Sequence, residues 1–397
     1  MAPLHLKDHP IVCFSAGDWW ALNPGAFDRK MIEFAKYTKI LYINTVSIGM
    51  PRILSRSFFV RLRRKMKSLA RVLRQPLPGL YVFTPIILPF SKSNLLQLFN
   101  TTFLLVQIRI LFFLLRIRDP ILWVGNLGAV GTLPKLKGKL VVYDCTDKFD
   151  KSRYIKAKEL MKSLDEVMVE QADLIICVSK PLFRYYQSKA SHKVHYLPHG
   201  VDFEHFASHE YKPQQPPLEL RNIPHPIIGY YGTLTEANDI ELLQHCVKHR
   251  PEWSFVLVGN ITEGDYRSVL AFPNVHALGY KPYEELPAYA ACFDVCILFW
   301  KVYDWIQFCS PLKTKEYLAL GKPVVSVRIP EIEEEFSDVI SVASNKLEFL
   351  DALGYELRTD SPEKTRLRQA KVHNFTWSEY VAKVSDLLME AGENETN

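Results

Sequence analysis

The feature that most constrains this chain is an alternation that runs through it twice. Short apolar runs bounded by turn residues fall at 11–15, 39–44, 80–85, 120–125, 139–144, 173–179 and 193–198, with helical spacing at 26–37, 95–117, 154–171 and 181–190. Strand followed by helix is the pattern of a doubly wound parallel sheet, because parallel neighbours need a crossover and a helix supplies it. A proline-rich stretch then intervenes, with Pro213, Pro216, Pro217 and Pro224. The alternation restarts with strands at 226–232, 253–259, 275–278, 294–300, 323–327 and 338–342, and helices at 239–248, 283–292, 311–320 and 346–353. The expected architecture is α/β: two Rossmann-like, doubly wound parallel-sheet domains facing across a cleft. Their expected bounds are 1–205, a linker at 206–225, 226–374, and a last helix with its tail at 375–397. A length of 397 residues suits two domains better than one core.

Composition decides the class. Hydrophobic residues make up 48% and charged residues 23%, enough for two cores. The seven cysteines are odd in number, scattered, and several lie in apolar runs, so we expect reduced core residues in a cytoplasmic protein. No His or Cys group has zinc-ligand spacing, and we expect no metal. The opening MAPLHLKDHPIVCF lacks a basic region followed by a long apolar run, so no secretion signal is expected.

The net charge of +6 is unevenly distributed. From 34 to 118 there is no Asp or Glu, against fifteen Lys and Arg. Within this span Phe59, Leu62, Met66, Leu69 and Leu73 recur at spacings of three and four, while Arg61, Arg63, Arg64, Lys65, Lys67, Arg71 and Arg74 fill the other face. A basic amphipathic helix of this kind lies on an anionic membrane surface, and we read 52–118 as a membrane-facing segment. A solvated helix and a nucleic-acid surface are the other readings of that charge; the apolar face favours the membrane, and no nucleic-acid partner is expected. The apolar stretch 95–117 is interrupted by Arg109 and Arg116 and is too short in its charge-free part to span a bilayer, leaving a core helix as its plain reading. The protein is therefore expected to be peripheral, at the inner face of the cell membrane.

The chemistry centres on Ser310 to Ser326, SPLKTKEYLALGKPVVS. Ser310 suits an N-cap, Pro311 the first helical position, and Gly321 the helix end before the next strand. The first turn of a helix offers unpaired N–H groups and a partial positive charge, so Leu312, Lys313 and Thr314 can receive an anion, with Lys313 and Lys315 adding charge. Glu316, one turn in, can accept hydrogen bonds from two adjacent hydroxyls, as on a ribose. Open α/β sheets bind ligands beyond the C-terminal ends of their strands. The residues there are Gly17 and Asp18, Asp144 and Asp147, Gly232 and Thr233. Asp144 and Asp147 can orient a hydroxyl or cap the next helix, and His199 can face the cleft or be satisfied by backbone; both pairs of readings stay open.

Taken together, Leu122-Trp123-Val124, Tyr143-Asp144-Cys145-Thr146-Asp147, Pro198-His199-Gly200-Val201-Asp202, Gly229-Tyr230-Tyr231-Gly232-Thr233-Leu234 and Pro311-Leu312-Lys313 through Gly321-Lys322-Pro323 resemble the retaining GT-B glycosyltransferases of family 4, in the branch of teichuronic-acid and exopolysaccharide transferases. The resemblance covers most of the chain. It implies a UDP- or GDP-sugar as substrate, bound by the second lobe, a lipid-linked or glycan acceptor bound by the first, and retained anomeric configuration without a cofactor or metal. It also implies that Glu316 holds the ribose, that Pro311 to Thr314 seat the diphosphate, and that Gly232 and Thr233 lie under the phosphates. Two positions depart: Phe308 stands where the family usually has a second glutamate, and Thr233 where many members have arginine. Those departures keep open a catalytically degenerate membrane partner, and the shared fold keeps open a nucleotide-sugar epimerase. Gly125, Gly128 and Gly131 follow a strand but do not have dinucleotide-binding spacing.

Overall fold

The computed structural model describes residues 6–7, 9–21, 25–44, 72–86, 94–151, 158–208 and 216–394. The chain divides into two compact units. The first comprises Met1–Val178, Leu182–Leu197 and Tyr380–Asn397; the second comprises Ser179–Pro181 and Pro198–Glu379.

The first unit is built on eight strands, β1 (Ile11–Phe14), β2 (Ile40–Ile43), β3 (Leu73–Leu77), β4 (Leu80–Phe83), β5 (Ile121–Val124), β6 (Leu140–Cys145), β7 (Leu174–Cys177) and β8 (Val194–Tyr196), in the order β3-β4-β2-β1-β5-β6-β7-β8. All pairings are parallel except β3 with β4. Central β1 pairs Ile11 with Ile40 on one side and with Ile121 on the other, and all four of its residues are buried. Helices cover both faces of such a sheet, so its inner strands read as unbroken apolar runs rather than alternating ones. The helices are α1 (Ala26–Phe34), α2 (Asn94–Leu115), α3 (Lys158–Gln171) and α4 (Lys180–Ala190).

The second unit repeats the plan with β9 (Ile227–Tyr231), β10 (Ser254–Val258), β11 (Val275–Gly279), β12 (Val295–Leu298), β13 (Val324–Val327) and β14 (Ser341–Ala343), all parallel, in the order β11-β10-β9-β12-β13-β14. Its main helices are α5 (Ile240–His249), α6 (Leu312–Ala319), α7 (Pro330–Phe336), α8 (Lys346–Thr359) and α9 (Pro362–Val372). A last helix, α10 (Trp377–Asn394), passes into the first unit from Tyr380 on. Leu220 and Ile223 are buried in the second unit's core, so the end of the proline-rich stretch is packed against that unit.

Every strand read from the sequence forms, and one unread strand joins them. Leu73 and Arg74, expected at the end of the basic helix, are instead in β3, paired antiparallel with Phe83 and Val82 at the sheet edge, where Pro76 needs no ladder partner. The rest of that expected helix, with Arg61, Arg63, Arg64, Lys65, Lys67 and Arg71, lies outside the described residues. All seven cysteines are buried, and none is in a disulfide among the described residues.

Candidate functional site

In the second unit β9 is buried along its length and ends at Gly232, whose φ of 137° suits glycine and few other residues. The chain turns sharply there because β10 ends the same way. A Cβ on Gly259 (φ 144°) would stand 2.0 Å from the Gly232 carbonyl oxygen, so two glycines let two strand ends touch. The space above Gly232 belongs to Lys313, since a Cβ on Gly232 would fall 2.3 Å from Lys313 Cε and 2.9 Å from its Nζ. The Lys313 ammonium also lies 5.6 Å from the Tyr230 ring centre and 5.4 Å from that of Trp300, within cation–π range of both. The expected diphosphate lysine and the expected glycine loop are therefore side by side.

Lys313 stands in the first turn of α6. Pro311, expected at the first helical position, is the N-cap itself (φ −66°, ψ 120°) and its side chain makes no cap hydrogen bond. The helix start, Leu312 to Thr314, thus has no side-chain cap of its own, and Thr314 Oγ1 is buried with no hydrogen-bond partner among the described residues. One turn in, Glu316 is buried and accepts a 2.6 Å hydrogen bond at Oε2 from Tyr231 Oη. Burial, and then the charge of Glu316, push the Tyr231 phenol well up, which keeps it a proton donor. Tyr231 is fixed in turn because its N–H donates to Tyr317 Oη at 3.0 Å and the two rings meet edge to face. Tyr230 and Tyr231 stand in the 229–234 motif, and Gly259 and Trp300 follow strands where ligands of open α/β sheets bind, but the sequence assigns none of them, nor Tyr317, a role of its own.

Lys315 does not join the seat. It is buried on another side of α6, with its ammonium 5.8 Å from the Phe336 ring centre and 5.3 Å from that of Phe375. Burial lowers its pKa to about 8, against the opposing pull of Glu331 and Glu335. Because the folded value lies below the unfolded one, the group's contribution to stability is present above the unfolded pKa and is lost as pH falls through about 8. Between pH 8 and 10 the wild type should gain on the order of 2 kcal/mol relative to Lys315→Met, measured by urea unfolding of both proteins. A gap that stays constant with pH would refute this placement.

The other expected positions fall as follows. Thr233 is exposed after Gly232. Phe308 ends a 3₁₀ turn (Asp304–Phe308), and its carbonyl accepts from Ser179 Oγ at 2.6 Å, so its backbone is committed to structure. His199 is buried, its ring 6.3 Å from that of Trp377. A cavity of about 480 Å³ opens beyond β12, β13 and β14; Trp300, whose ring underlies Lys313, is part of its lining, with Lys301 and Arg328.

In the first unit the two aspartates separate. Asp144 is fully buried in β6, with Lys30 Nζ at 2.6 and 2.8 Å from its two oxygens and Trp123 Nε1 donating at 2.9 Å. It is part of a core ion pair, neither a helix cap nor placed to orient a hydroxyl. Asp147 is half-buried; its carbonyl accepts from Cys145 Sγ at 4.0 Å, its carboxylate makes no hydrogen bond or ion pair among the described residues, and burial pushes that carboxyl up to about 7. Its neighbour Lys148 is taken by Asp150 at 2.6 Å and Asp165 at 2.9 Å. Gly17 donates its N–H to Ser15 Oγ at 2.9 Å, and Asp18 accepts from the Trp20 N–H at 3.1 Å, so Asp18 shapes its own turn. Among the described residues no group of three or more His, Cys, Asp or Glu could hold a metal ion.

Residues 225–357 match the family described as Glycosyl transferases group 1. Over this segment the chain is similar to the group 1 glycosyltransferases. The chain is also 30% identical over 203 residues to TuaH of Bacillus subtilis (strain 168), named for teichuronic acid biosynthesis as a glycosyltransferase; the match covers 48% of this chain and 51% of that protein. The chain thus spans about half the length of the curated relative it matches. Among solved structures, sucrose-phosphate synthase from Thermosynechococcus elongatus superposes with a TM-score of 0.72 at 14% identity, covering 96% of this chain and 98% of that one. Anabaena Alr3699/HepE in complex with UDP gives 0.67 at 14% identity, over 96% and 100%. An α,α-trehalose-phosphate synthase (UDP-forming) from Burkholderia vietnamiensis gives 0.69 at 14% identity, over 98% of each chain. The fold is GT-B.

Proposed function

We propose that this chain is a retaining glycosyltransferase that moves a sugar from a UDP- or GDP-sugar to a lipid-linked or polysaccharide acceptor at the cytoplasmic face of the membrane. The observation that carries the donor half of this reading is Lys313 laid across Gly232 at the uncapped start of α6, with Glu316 one turn on. A diphosphate fits there: the helix start offers N–H donors, Lys313 a full positive charge, and Glu316 an acceptor for ribose hydroxyls. In the reaction the bond from the anomeric carbon to the diphosphate oxygen breaks, and the acceptor oxygen bonds to that carbon on the same face. The acceptor proton passes to the departing diphosphate. Charge builds on the leaving group as the carbon becomes oxocarbenium-like, so fixed donors at the diphosphate lower the barrier most. Lys313 and the helix start supply that charge, and we expect no requirement for a divalent cation. Asp147, with its carboxyl near 7, is the first-unit candidate for orienting the acceptor hydroxyl. The TuaH relative is named for teichuronic acid biosynthesis, which supports a polysaccharide as the acceptor class.

The test is thermal unfolding of the full chain with UDP, GDP and their sugar conjugates, with and without magnesium. A nucleotide at one hundred times its Kd should stabilise the protein by about 2.7 kcal/mol, a shift of several degrees. A shift with one nucleotide that does not depend on magnesium supports the reading. No shift with any of them overturns it and leaves the degenerate-partner alternative.

A further inference from the structure

Helix α2 is apolar on two opposite sides, and the described residues cover only one of them. Leu104, Leu105, Ile108 and Leu111 are buried against the first unit. On the far side Phe99, Phe103, Val106, Ile110, Phe113 and Leu114 are between 37% and 84% exposed. At 100° per residue these six fall within about 100° of arc, a continuous stripe roughly four turns long. The rings of Phe99 and Phe103 stack at 5.9 Å along it. The stripe extends sideways: Gln107 pins the backbone of Ile86 to the helix through hydrogen bonds of 3.0 and 2.8 Å, and Ile86 is itself exposed. The open apolar area is on the order of several hundred Å², at the upper end of what a monomer leaves uncovered without a use.

The charge around the stripe indicates what covers it. Acids stop at Glu33 and resume at Asp119, and the span between holds fifteen Lys and Arg. Arg109 lies along one flank of the stripe, where it donates to the Lys135 carbonyl at 3.1 Å, and Arg116 and Arg118 stand just beyond the helix end, all three exposed. An apolar stripe flanked by cations, in a span without acids, is complementary to a surface that is apolar inside and anionic at its rim. No helix among the described residues is long and apolar enough to cross a membrane.

We propose that the exposed side of α2 seats the first unit on an anionic lipid bilayer, with Phe99 to Leu114 entering the acyl region in the membrane plane and Arg109, Arg116 and Arg118 meeting lipid phosphates. This rests on the membrane-face reading above and names the surface that would carry it. The site does not depend on the donor chemistry, so the two can fail separately.

The experiment is co-sedimentation of the full chain with vesicles of phosphatidylcholine alone and of phosphatidylcholine with 30% phosphatidylglycerol. The wild type should bind the anionic vesicles, less so as salt rises. The double variant Ile110→Ser/Phe113→Ser should lose at least about tenfold in partitioning while keeping the wild-type unfolding midpoint and any nucleotide-induced shift. As a second measurement, Phe113→Trp should gain emission that brominated lipids quench beyond the wild-type background. Absence of wild-type binding, or equal binding by the double variant, would overturn the proposal. So would a wild-type dimer in sedimentation velocity that the double substitution dissolves, which would assign the stripe to a second copy of the chain. A nucleotide shift without vesicle binding would sink the membrane surface and leave the donor site standing.

Discussion

Replacing Lys30 with methionine is expected to destabilise the first unit by about 3–5 kcal/mol, the usual cost of removing one partner from a buried ion pair. Lys30 and Asp144 are both fully buried, at 2.6 Å, inside a shell that includes Trp123 and the rings of Phe27 and Tyr380, each 5.1 Å from the ammonium. Burial lowers the pKa of Lys30, and the Asp144 charge holds it back up, so each charge is tolerable because the other is present. Methionine matches the length of the stem but leaves Asp144 either charged and unpaired or protonated at a cost. The double variant Lys30→Met/Asp144→Asn, which removes both charges and keeps an acceptor for Trp123, should recover most of the loss. Scanning calorimetry would read the single change as a fall of roughly 6–20 °C in the first unit's transition. A fall corresponding to less than about 1 kcal/mol, or a double variant as unstable as the single one, would show that the pair is not what holds α1 and β6 together.

That pair also shows where sequence reading stops. Strand positions were legible because a strand of a parallel sheet covered on both faces is apolar throughout, and such runs as Ile121–Val124 or Val295–Leu298 have few alternatives. β3 was not legible: it is short, mostly exposed and contains proline, so its first residues continued the apparent helical spacing of the basic segment. Helix α9 was missed for the opposite reason. Its sequence PEKTRLRQAKV buries mainly Val372 and Arg368, and Arg368 is paired with Glu356 at 3.0 Å and Asp360 at 2.6 Å, contacts that no hydrophobic period records. Asp144 looked like a site residue because it ends a strand where ligands bind; its partner is 114 positions away.

Within the site, Lys313, Gly232 and Glu316 were legible because local rules place them, namely the turn at a strand end and the first turn of a helix. Lys315 was misplaced by counting charge without phase. Two residues along a helix turn the side chain through about 200°, so a lysine beside the seat implies that the next-but-one lysine points away from it. The same omission hid the second side of α2, where a run apolar all round reads as core and only the structure shows which half is covered.

Glu316→Ala is expected to lower kcat/KM by about 100- to 1,000-fold, the loss that follows when a site built to hydrogen-bond a substrate hydroxyl no longer can. The substitution has a structural side as well, because Tyr231 Oη is buried and donates to Glu316 at 2.6 Å, so alanine orphans it at a cost of about 1–3 kcal/mol in stability. Two further variants separate the effects. Glu316→Gln keeps an acceptor for Tyr231 and for a hydroxyl but removes the charge; it should fold like the wild type and still lose activity, since hydrogen bonds to a charged acceptor are about twice as strong as neutral ones. Tyr231→Phe removes the donor and leaves the carboxylate for the substrate; it should lose little activity beyond what a slightly freer Glu316 costs. If Glu316 contributes only by holding Tyr231, the ranking reverses: Tyr231→Phe becomes as inactive as Glu316→Ala, and Glu316→Gln is active. Measured kcat/KM for the three variants, with a nucleotide-induced thermal shift absent in Glu316→Ala and present in Tyr231→Phe, assigns the carboxylate to the substrate. The reverse order assigns it to the fold.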